Sequence, residues 1–350
     1  MAPTFFFFAY GVGQVVNGLL CKKYNIKWMV FGSLITSSSI NYIIAICSNF
    51  AIIKWLWMVN GFALSILWPS LIRLLSKRLP QKDLSKSSAV MGTTVATGTL
   101  VIYILSSVYT FFGSFKLAFY TAAVADIIVA FFWLVYFNKS VKFLDGNSRD
   151  DYENKEAKPN TVKEEQTRTE RILLYISVYV LCFCAVGINL IKDGLTTWVP
   201  SILKDECSVT DSLSILLTVF LPMVAIFGTL FALITHKKIP DYVTHCAVIF
   251  IVIFGFIGII LGGIRLKAAA VMLFGLITVS FLVSSLNNLV TSIFPMFMRE
   301  RINSGLYAGV LNGFCYLGSA ISSYGLGFIA DKFGWEKVFW VLMAFCAMII

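Results

Sequence analysis

Two charged residues, Lys192 and Asp193, lie in an otherwise apolar or small-polar stretch that runs from Gly187 to Pro200. A charge near the centre of a membrane costs about 3 kcal/mol on insertion scales, so it faces a partner, a cavity or a substrate rather than lipid. A lysine in this setting can bind an anionic substrate or a coupling group. The segment therefore predicts a transport pathway.

Helical spacing groups the polar residues around this lysine. Asn189, Lys192 and Thr196 are three and four positions apart and share one face of a helix. We expect Lys192 to attract the substrate, with Asn189 and Thr196 lining the site. Asp193 lies about 100° further round, so it is not expected to face or neutralise Lys192 and is assigned to gating or coupling. A structural ion pair, or a lysine that reaches the outer surface, remains the alternative.

Three further polar positions are predicted to line the same site. Tyr10, Gln14 and Asn17 form a polar stripe on the first apolar segment, and Asn287 and Asn288 form a pair in the second half of the chain. We expect Tyr10, Gln14 and Asn288 to face the substrate. Ordinary hydrogen bonds between helices explain the same residues about as well.

Arg73 and Asp126 are the remaining charged candidates, both assigned to gating or coupling. Arg73 follows Trp68 and Pro69, and the proline removes a backbone hydrogen bond and lets a helix bend. A structural or gating role is favoured for Arg73 over substrate contact. Asp126 stands alone in an apolar segment, where it either carries a proton or pairs with a polar neighbour.

The composition requires that these residues sit in a membrane. Of 350 residues, 58% are hydrophobic and 13% charged, and the mean hydropathy is +0.83. This balance indicates an all-α polytopic membrane protein. The net charge of +10 lies mostly in short loops and does not imply nucleic acid. All but the last of the apolar stretches are long enough to cross a bilayer; they cover residues 3–20, 28–47, 51–75, 88–112, 116–138, 172–200, 211–235, 241–263, 267–296, 304–330 and 336–350.

One long polar connection, residues 139–170, divides the chain into an N-terminal helix bundle at 1–138 and a C-terminal bundle at 171–350. Basic residues concentrate in this linker and in alternate loops, so the positive-inside rule places the linker in the cytoplasm of a multi-pass protein of the cell membrane.

The two halves have similar patterns. In each, a helix containing proline (Pro69 or Pro295) is followed by a basic loop and a helix rich in Ser or Gly. Three apolar segments precede this landmark in the second half and two in the first. We expect a 6+6 plan with about eleven helices, in which the first helix is missing and the last is cut short. Paired halves are typical of transporters.

The sequence does not favour an enzyme. It contains no nucleotide-binding loop, metal-ligand cluster or catalytic triad, so no catalytic residue, metal or cofactor is predicted. The repeat of Gly305, Gly309 and Gly313 is better explained by close helix packing than by function.

The chain resembles the major facilitator superfamily and, within it, the organophosphate:phosphate antiporter branch. The resemblance covers nearly the whole chain and is carried by four stretches, Asn17–Lys27, Trp68–Arg73, Gly194–Pro200 and Gly327–Trp335. It implies a two-bundle carrier that exposes a central site alternately to each side, coupled to a proton or a counter-anion.

The same resemblance implies a phosphate site built from basic residues of the first and seventh helices of the family. Lys192 corresponds to the seventh-helix arginine and lacks its bidentate fork. Gln14 stands where some members have a lysine. A carboxylate or another small anion therefore fits as well as an organophosphate. A ligand sensor of transporter-like fold and a non-functional truncated carrier are the rival interpretations.

Overall fold

The computed structural model describes residues 2–21, 23–111, 116–153, 168–207 and 217–350. These residues form helices and contain no strand, which confirms the all-α prediction. In chain order the eleven helices are α1 (Ala2–Leu20), α2 (Ile26–Ile46), α3 (Phe50–Arg78), α4 (Gln81–Phe111), α5 (Lys116–Glu153), α6 (Arg168–Cys207), α7 (Phe220–Lys238), α8 (Tyr242–Arg265), α9 (Ala269–Phe297), α10 (Ser304–Phe333) and α11 (Trp335–Ile349).

Eight of these helices are long and apolar enough to cross a membrane, namely α2, α3 and α5 to α10. The chain is therefore a multi-pass membrane protein. The sequence predicted ten such stretches. Helix α1 falls short because Tyr10, Gln14 and Asn17 lower its hydropathy, and α4 because its first half is rich in Ser, Thr and Lys.

Prolines bend the corresponding helices of the two halves. Pro69 has no N–H to donate to the carbonyl of Ser65, and α3 is interrupted by a turn at Ser65 and Ile66. In α9, the residues Leu289–Ile293 before Pro295 wind in a wide π-helical turn. Each bent helix leads into a short basic loop.

The helices of the two halves meet along several contacts, and three of them are the most extensive. Helix α1 packs along α10, α4 packs on α7, and the end of α3 packs on α10. Within the halves, α2 pairs with α5, α7 with α9, and α6 with α10.

Glycines allow the closest of these approaches. A Cβ on Gly309 would collide with the backbone oxygen of Gln14, and a Cβ on Gly313 would lie 2.9 Å from the carbonyl oxygen of Gly11. The glycine repeat thus lets α10 lie directly against the backbone of α1, as the packing interpretation predicted.

The outer surface of the helices is apolar. Phe131, Phe132 and Val135 of α5 are among many large side chains that are more than half exposed. Lipid tails can cover such a surface at no cost, because they are as apolar as the side chains themselves.

We predict that Gly318→Ala destabilises the second half of the protein. Its Cβ would collide with the carbonyl oxygen of Val186 in α6 and lie 2.9 Å from the backbone nitrogen of Leu190. Backbone atoms cannot rotate away, so overpacking of about 1–3 kcal/mol is expected. Thermal melting of the purified protein in detergent measures this as a lowered midpoint.

The matched control is Gly258→Ala in α8, where a Cβ meets nothing within 4 Å. Its melting midpoint should stay at or slightly above that of the wild type, because alanine favours helix. Equal midpoints for Gly318→Ala and Gly258→Ala would contradict the close approach of α6 and α10.

Candidate functional site

A cavity of about 560 Å³, part of it open to the surroundings, lies between the two halves of the molecule. Helix α4 supplies its wall from the first half, and α6, α7 and α9 supply the rest. Its lining is Gly92, Val95, Ala96, Thr99, Lys192, Asp193, Thr196, Pro222, Ala225, Thr229, Ser280, Ser284 and Asn287. Among these described residues, Lys192 and Asp193 carry the charge.

Lys192 and Asp193 form an ion pair inside this cavity. Lys192 Nζ lies 3.5 Å from Asp193 Oδ1, and each side chain is 19% exposed. The prediction that these neighbours would not face each other was wrong. Consecutive Cα atoms are only about 3.8 Å apart, and the flexible four-carbon stem of lysine can turn its ammonium back to the adjacent carboxylate.

The Asp193 carboxylate is fixed from its other side by a buried polar network. Asp193 Oδ2 accepts a hydrogen bond from the Ser319 hydroxyl and a longer one, of 3.4 Å, from Asn189 Nδ2. Asn189 Nδ2 also donates to Ser319 Oγ at 3.0 Å, and Asn287 Nδ2 donates to Asn189 Oδ1 at 2.9 Å. Helices α6, α9 and α10 are thus joined at one point.

Asn189, Lys192 and Thr196 were predicted to share one face of α6. Lys192 and Thr196 line the cavity, whereas Asn189 belongs to the polar network. Thr196 lines the cavity, and its hydroxyl donates to the Lys192 carbonyl at 2.9 Å. Asn189 is 2% exposed and lies behind the cavity, where it orients Asp193.

The asparagine pair of α9 has an arrangement that the sequence did not predict. Asn287 lines the cavity. Asn288 is buried, donates from Nδ2 to the Thr229 carbonyl at 3.0 Å, and turns its Oδ1 towards Gly92 of α4. Asn288 therefore joins α9 to α7 and contacts α4 of the first half. Asn287, and not Asn288 as predicted, lines the cavity.

Tyr10 and Gln14 lie at the α1–α10 contact and are not part of the cavity lining. The Tyr10 ring packs 4.2 Å, centroid to centroid, from the ring of Tyr316. Gln14 is fully buried, and its stripe neighbour Asn17 donates to the Ser65 hydroxyl at 2.8 Å. Of the stripe, Asn17 makes the hydrogen bond between helices that the alternative interpretation predicted, whereas the amide oxygen and nitrogen of Gln14 are buried without a hydrogen-bond partner among the described residues.

Asp126 lies in the first half between α5 and α2, outside the cavity lining. Its Oδ2 accepts hydrogen bonds from Ser37 Oγ at 2.7 Å and from Asn41 Nδ2 at 3.3 Å. Asp126 was predicted either to carry a proton or to pair with a polar neighbour, and these two hydrogen bonds are such a pairing.

A second group of polar contacts closes the molecule on the linker side, the side where α5 ends and α6 begins. Pro295 cannot donate to the carbonyl of Thr291, and the Trp68 indole of α3 donates to that carbonyl from the other half at 3.2 Å. The hydroxyls of Ser76 and Ser304 lie 2.5 Å apart across the same contact.

Arg299 completes this closure. The last carbonyls of α3 have no partner within the helix, and Arg299 Nη1 donates to those of Ser76 at 2.8 Å and Leu79 at 2.6 Å. A cation at a helix C-terminus is also favoured by the helix dipole. We call the contacts of Trp68, Ser76, Arg299 and Ser304 the linker-side closure.

Arg73, the predicted gating residue, lies next to this closure. Its Cβ would be 3.0 Å from a Cβ built on Gly305, so α3 and α10 approach closely there. Arg299 is the arginine whose hydrogen bonds join the halves there, beside those of Trp68 and Ser76. Arg73 Nε, in contrast, is buried without a hydrogen-bond partner among the described residues.

Sequence reasoning treated Arg299 only as a loop charge and did not single out Ser319. A signal for Arg299 exists, because it follows Pro295 by four residues as Arg73 follows Pro69. A serine in a Ser/Gly-rich helix carries no comparable signal.

Comparison with known proteins gives several relatives over almost the full chain. Sugar phosphate exchanger 3 of Bos taurus is 22% identical over an alignment of 397 positions, gaps included, which covers 100% of this chain and 78% of the relative. The probable hexose phosphate transport protein of Chlamydia trachomatis is 22% identical, covering 98% and 78%. The glycerol-3-phosphate transporter of Bacillus subtilis is 20% identical, covering 98% and 80%.

A solved structure has the same fold. The proton:xylose symporter XylE, bound to 6-bromo-6-deoxy-D-glucose, superposes with a TM-score of 0.70 at 12% sequence identity, covering 99% of this chain and 83% of that chain. The sequence model of the Major Facilitator Superfamily matches residues 1–323. The chain therefore belongs to the major facilitator superfamily, and within it resembles the organophosphate:phosphate antiporter branch.

Proposed function

We propose that this protein carries a small organic anion of the organophosphate class across the cell membrane by alternating access. The observation that carries the proposal is Lys192, a cation in a cavity lined by helices of both halves. A buried ionisable residue that lines a cavity between membrane helices is most often part of a substrate or ion pathway.

The choice of an organophosphate rests on two considerations. The relatives described above are named as carriers of sugar phosphates, hexose phosphate and glycerol 3-phosphate. The cavity also offers neutral hydrogen-bond donors beside the cation, such as Thr99, Ser284 and Asn287. A small carboxylate is the other anion that these groups can bind, and it belongs in the same test.

Residues 1–138 and 171–350 are the two bodies that move against each other, and residues 139–170 connect them in the cytoplasm. The linker-side closure then seals the cytoplasmic side of the cavity. When Arg299 releases α3, the cavity opens to the cytoplasm. Exchange for a counter-anion is the coupling we propose, since both anions would need the same ammonium group of Lys192.

The proposal assigns the polar residues four kinds of role. Lys192 and Thr196 face the substrate, and Asn189 and Asn288 support the walls of the site. Tyr10, Gln14 and Arg73 act at contacts between the halves, which must change as the protein opens. Asp193 is the residue through which the charge of the substrate is sensed.

The function is tested by exchange in proteoliposomes loaded with phosphate and supplied with labelled glycerol phosphate, glucose 6-phosphate, phosphate or a small carboxylate. We predict that Lys192→Gln lowers the exchange of the preferred anion about tenfold or more, because a desolvated charge contact is lost. Lys192→Arg should retain exchange, since it keeps the charge.

The matched control is Lys204→Gln, an exposed lysine of the same helix outside the cavity lining. It should exchange at the wild-type rate. Equal exchange rates for the wild type and Lys192→Gln would show that Lys192 does not take part in transport. If the wild type exchanges the carboxylate but no phosphate ester, the substrate is a carboxylate and not an organophosphate.

We predict that Arg299→Ala opens the linker side. The variant loses both bonds to the end of α3, each a charged hydrogen bond worth about 1.5–3 kcal/mol. A cysteine introduced at Thr99 in the cavity should then react faster with a membrane-impermeant thiol reagent added from the linker side of sealed vesicles.

Arg301→Ala is the control, because Arg301 is an exposed arginine in the same loop. It should leave the reaction rate at Thr99→Cys unchanged. If the two arginine variants react equally fast, Arg299 does not hold the linker-side closure.

A further inference from the structure

The ion pair in the cavity limits which anions can bind there. Lys192 and Asp193 cancel each other's formal charge at an N···O distance of 3.5 Å. An entering anion must therefore attract a lysine that already has a carboxylate beside it.

The two partners of this pair are held unequally. Asp193 Oδ2 accepts hydrogen bonds from Ser319 and Asn189, which are 0% and 2% exposed and are held in turn by the network that reaches Asn287. The 3.5 Å contact of Lys192 is longer than the usual charge-assisted hydrogen bond of about 2.7–2.9 Å. The lysine stem is also flexible. An anion in the cavity consequently draws the ammonium towards itself, while the carboxylate stays in place.

A bound anion then lies close to both charges. Its attraction to Lys192 and its repulsion from Asp193 both scale with its own charge, and both are stronger in a partly buried site than in water. A single negative charge can be matched by the one ammonium. A second negative charge finds no further cation among the described lining residues and is repelled by the fixed carboxylate.

We propose that Asp193 is a specificity-determining residue that restricts this cavity to singly charged anions, so that a phosphate ester binds as its monoanion. This inference rests on the proposed function and adds the charge state of the substrate. Phosphate monoesters are mostly dianions at neutral pH, because their second pKa is about 6, whereas phosphate diesters and carboxylates carry one charge. Neutral hydroxyl and amide groups of the cavity can bind the protonated phosphate oxygen.

The test compares two esters at pH 7.5, methyl phosphate as the dianion and dimethyl phosphate as the monoanion. Their dissociation constants are measured by calorimetry on the full chain in lipid nanodiscs, for the wild type and for Asp193→Asn. We expect the ratio of the two constants to shift about tenfold or more towards methyl phosphate in Asp193→Asn, a change of 1.4 kcal/mol or more. Because the ratio is compared between proteins, the extra methyl group of the diester cancels.

Two further variants complete the design. Asp193→Glu keeps the charge and should keep the wild-type ratio, which a purely structural role of this side chain would not predict. Asp193→Ser removes the charge with a different shape and replaces Asp193→Asn if that variant does not fold, as judged by its melting midpoint.

The outcomes separate the inference from the function on which it rests. If Lys192→Gln abolishes binding of both esters while the ratio is the same in the wild type and Asp193→Asn, the site stands and the charge restriction is overturned. If Lys192→Gln binds both esters like the wild type, or if no protein binds either ester at millimolar concentration, the proposed site is overturned and the inference with it.

Discussion

A charge among apolar helices must be compensated, because an uncompensated buried charge costs several kcal/mol. In this protein Lys192 and Asp193 compensate each other, and the arrangement around them follows from that need. Ser319 of α10 and Asn189 of α6 supply the donors for the carboxylate, and Asn287 of α9 holds Asn189. Three helices meet at one point because the carboxylate of α6 is bonded by Ser319 of α10, and its second partner, Asn189, is bonded by Asn287 of α9. The lysine is the less restrained member of the pair, because its 3.5 Å contact is long and Asp193 has further hydrogen-bond partners.

Helix α9 connects this site to the linker-side closure. The Thr291 hydroxyl donates to the Asn287 carbonyl at 2.7 Å, and the Thr291 carbonyl accepts the Trp68 indole. The link lies in the wide turn that precedes Pro295, where the regular helical bonds are already interrupted. A shift of the α9 backbone at Asn287 would therefore also move Thr291, whose carbonyl contacts the first half. Bent helices of this kind can adopt two arrangements more readily than straight ones, because fewer hydrogen bonds must be exchanged.

The sequence was sufficient for the all-α membrane architecture and for placing Lys192 in a cavity rather than against lipid. Long apolar segments, loop charges and Pro69 and Pro295 predict a helical, two-part membrane protein, since each reports a local constraint. Lys192 was predictable because a charge in an apolar segment is costly. Its pairing with Asp193 was not predictable. Helical geometry fixes the direction of the Cα–Cβ bond, but it does not fix the position of the ammonium group at the end of the flexible lysine side chain.

Other errors share one cause, which is that a polar residue on a helix does not reveal the neighbour it faces. Asn287 and Asn288 differ by about 100° on the helix, and only the packing of α9 against α4 and α7 decides which one reaches the cavity. Tyr10 and Gln14 form a stripe that suits a cavity, yet the glycines of α10 bring a backbone against that stripe. Ser319 and Arg299 act on partners more than a hundred residues away in sequence.

An anion bound at Lys192 should change the linker-side closure, because α9 joins the two. Spin labels at Lys77 and Glu300, exposed neighbours of the closure in the two halves, report this as a distance measured with and without glycerol phosphate. We expect glycerol phosphate to shift the distance distribution in the wild type and to leave it unchanged in Lys192→Gln. The same shift in both proteins, or no shift in either, would show that the closure does not respond to an anion at Lys192.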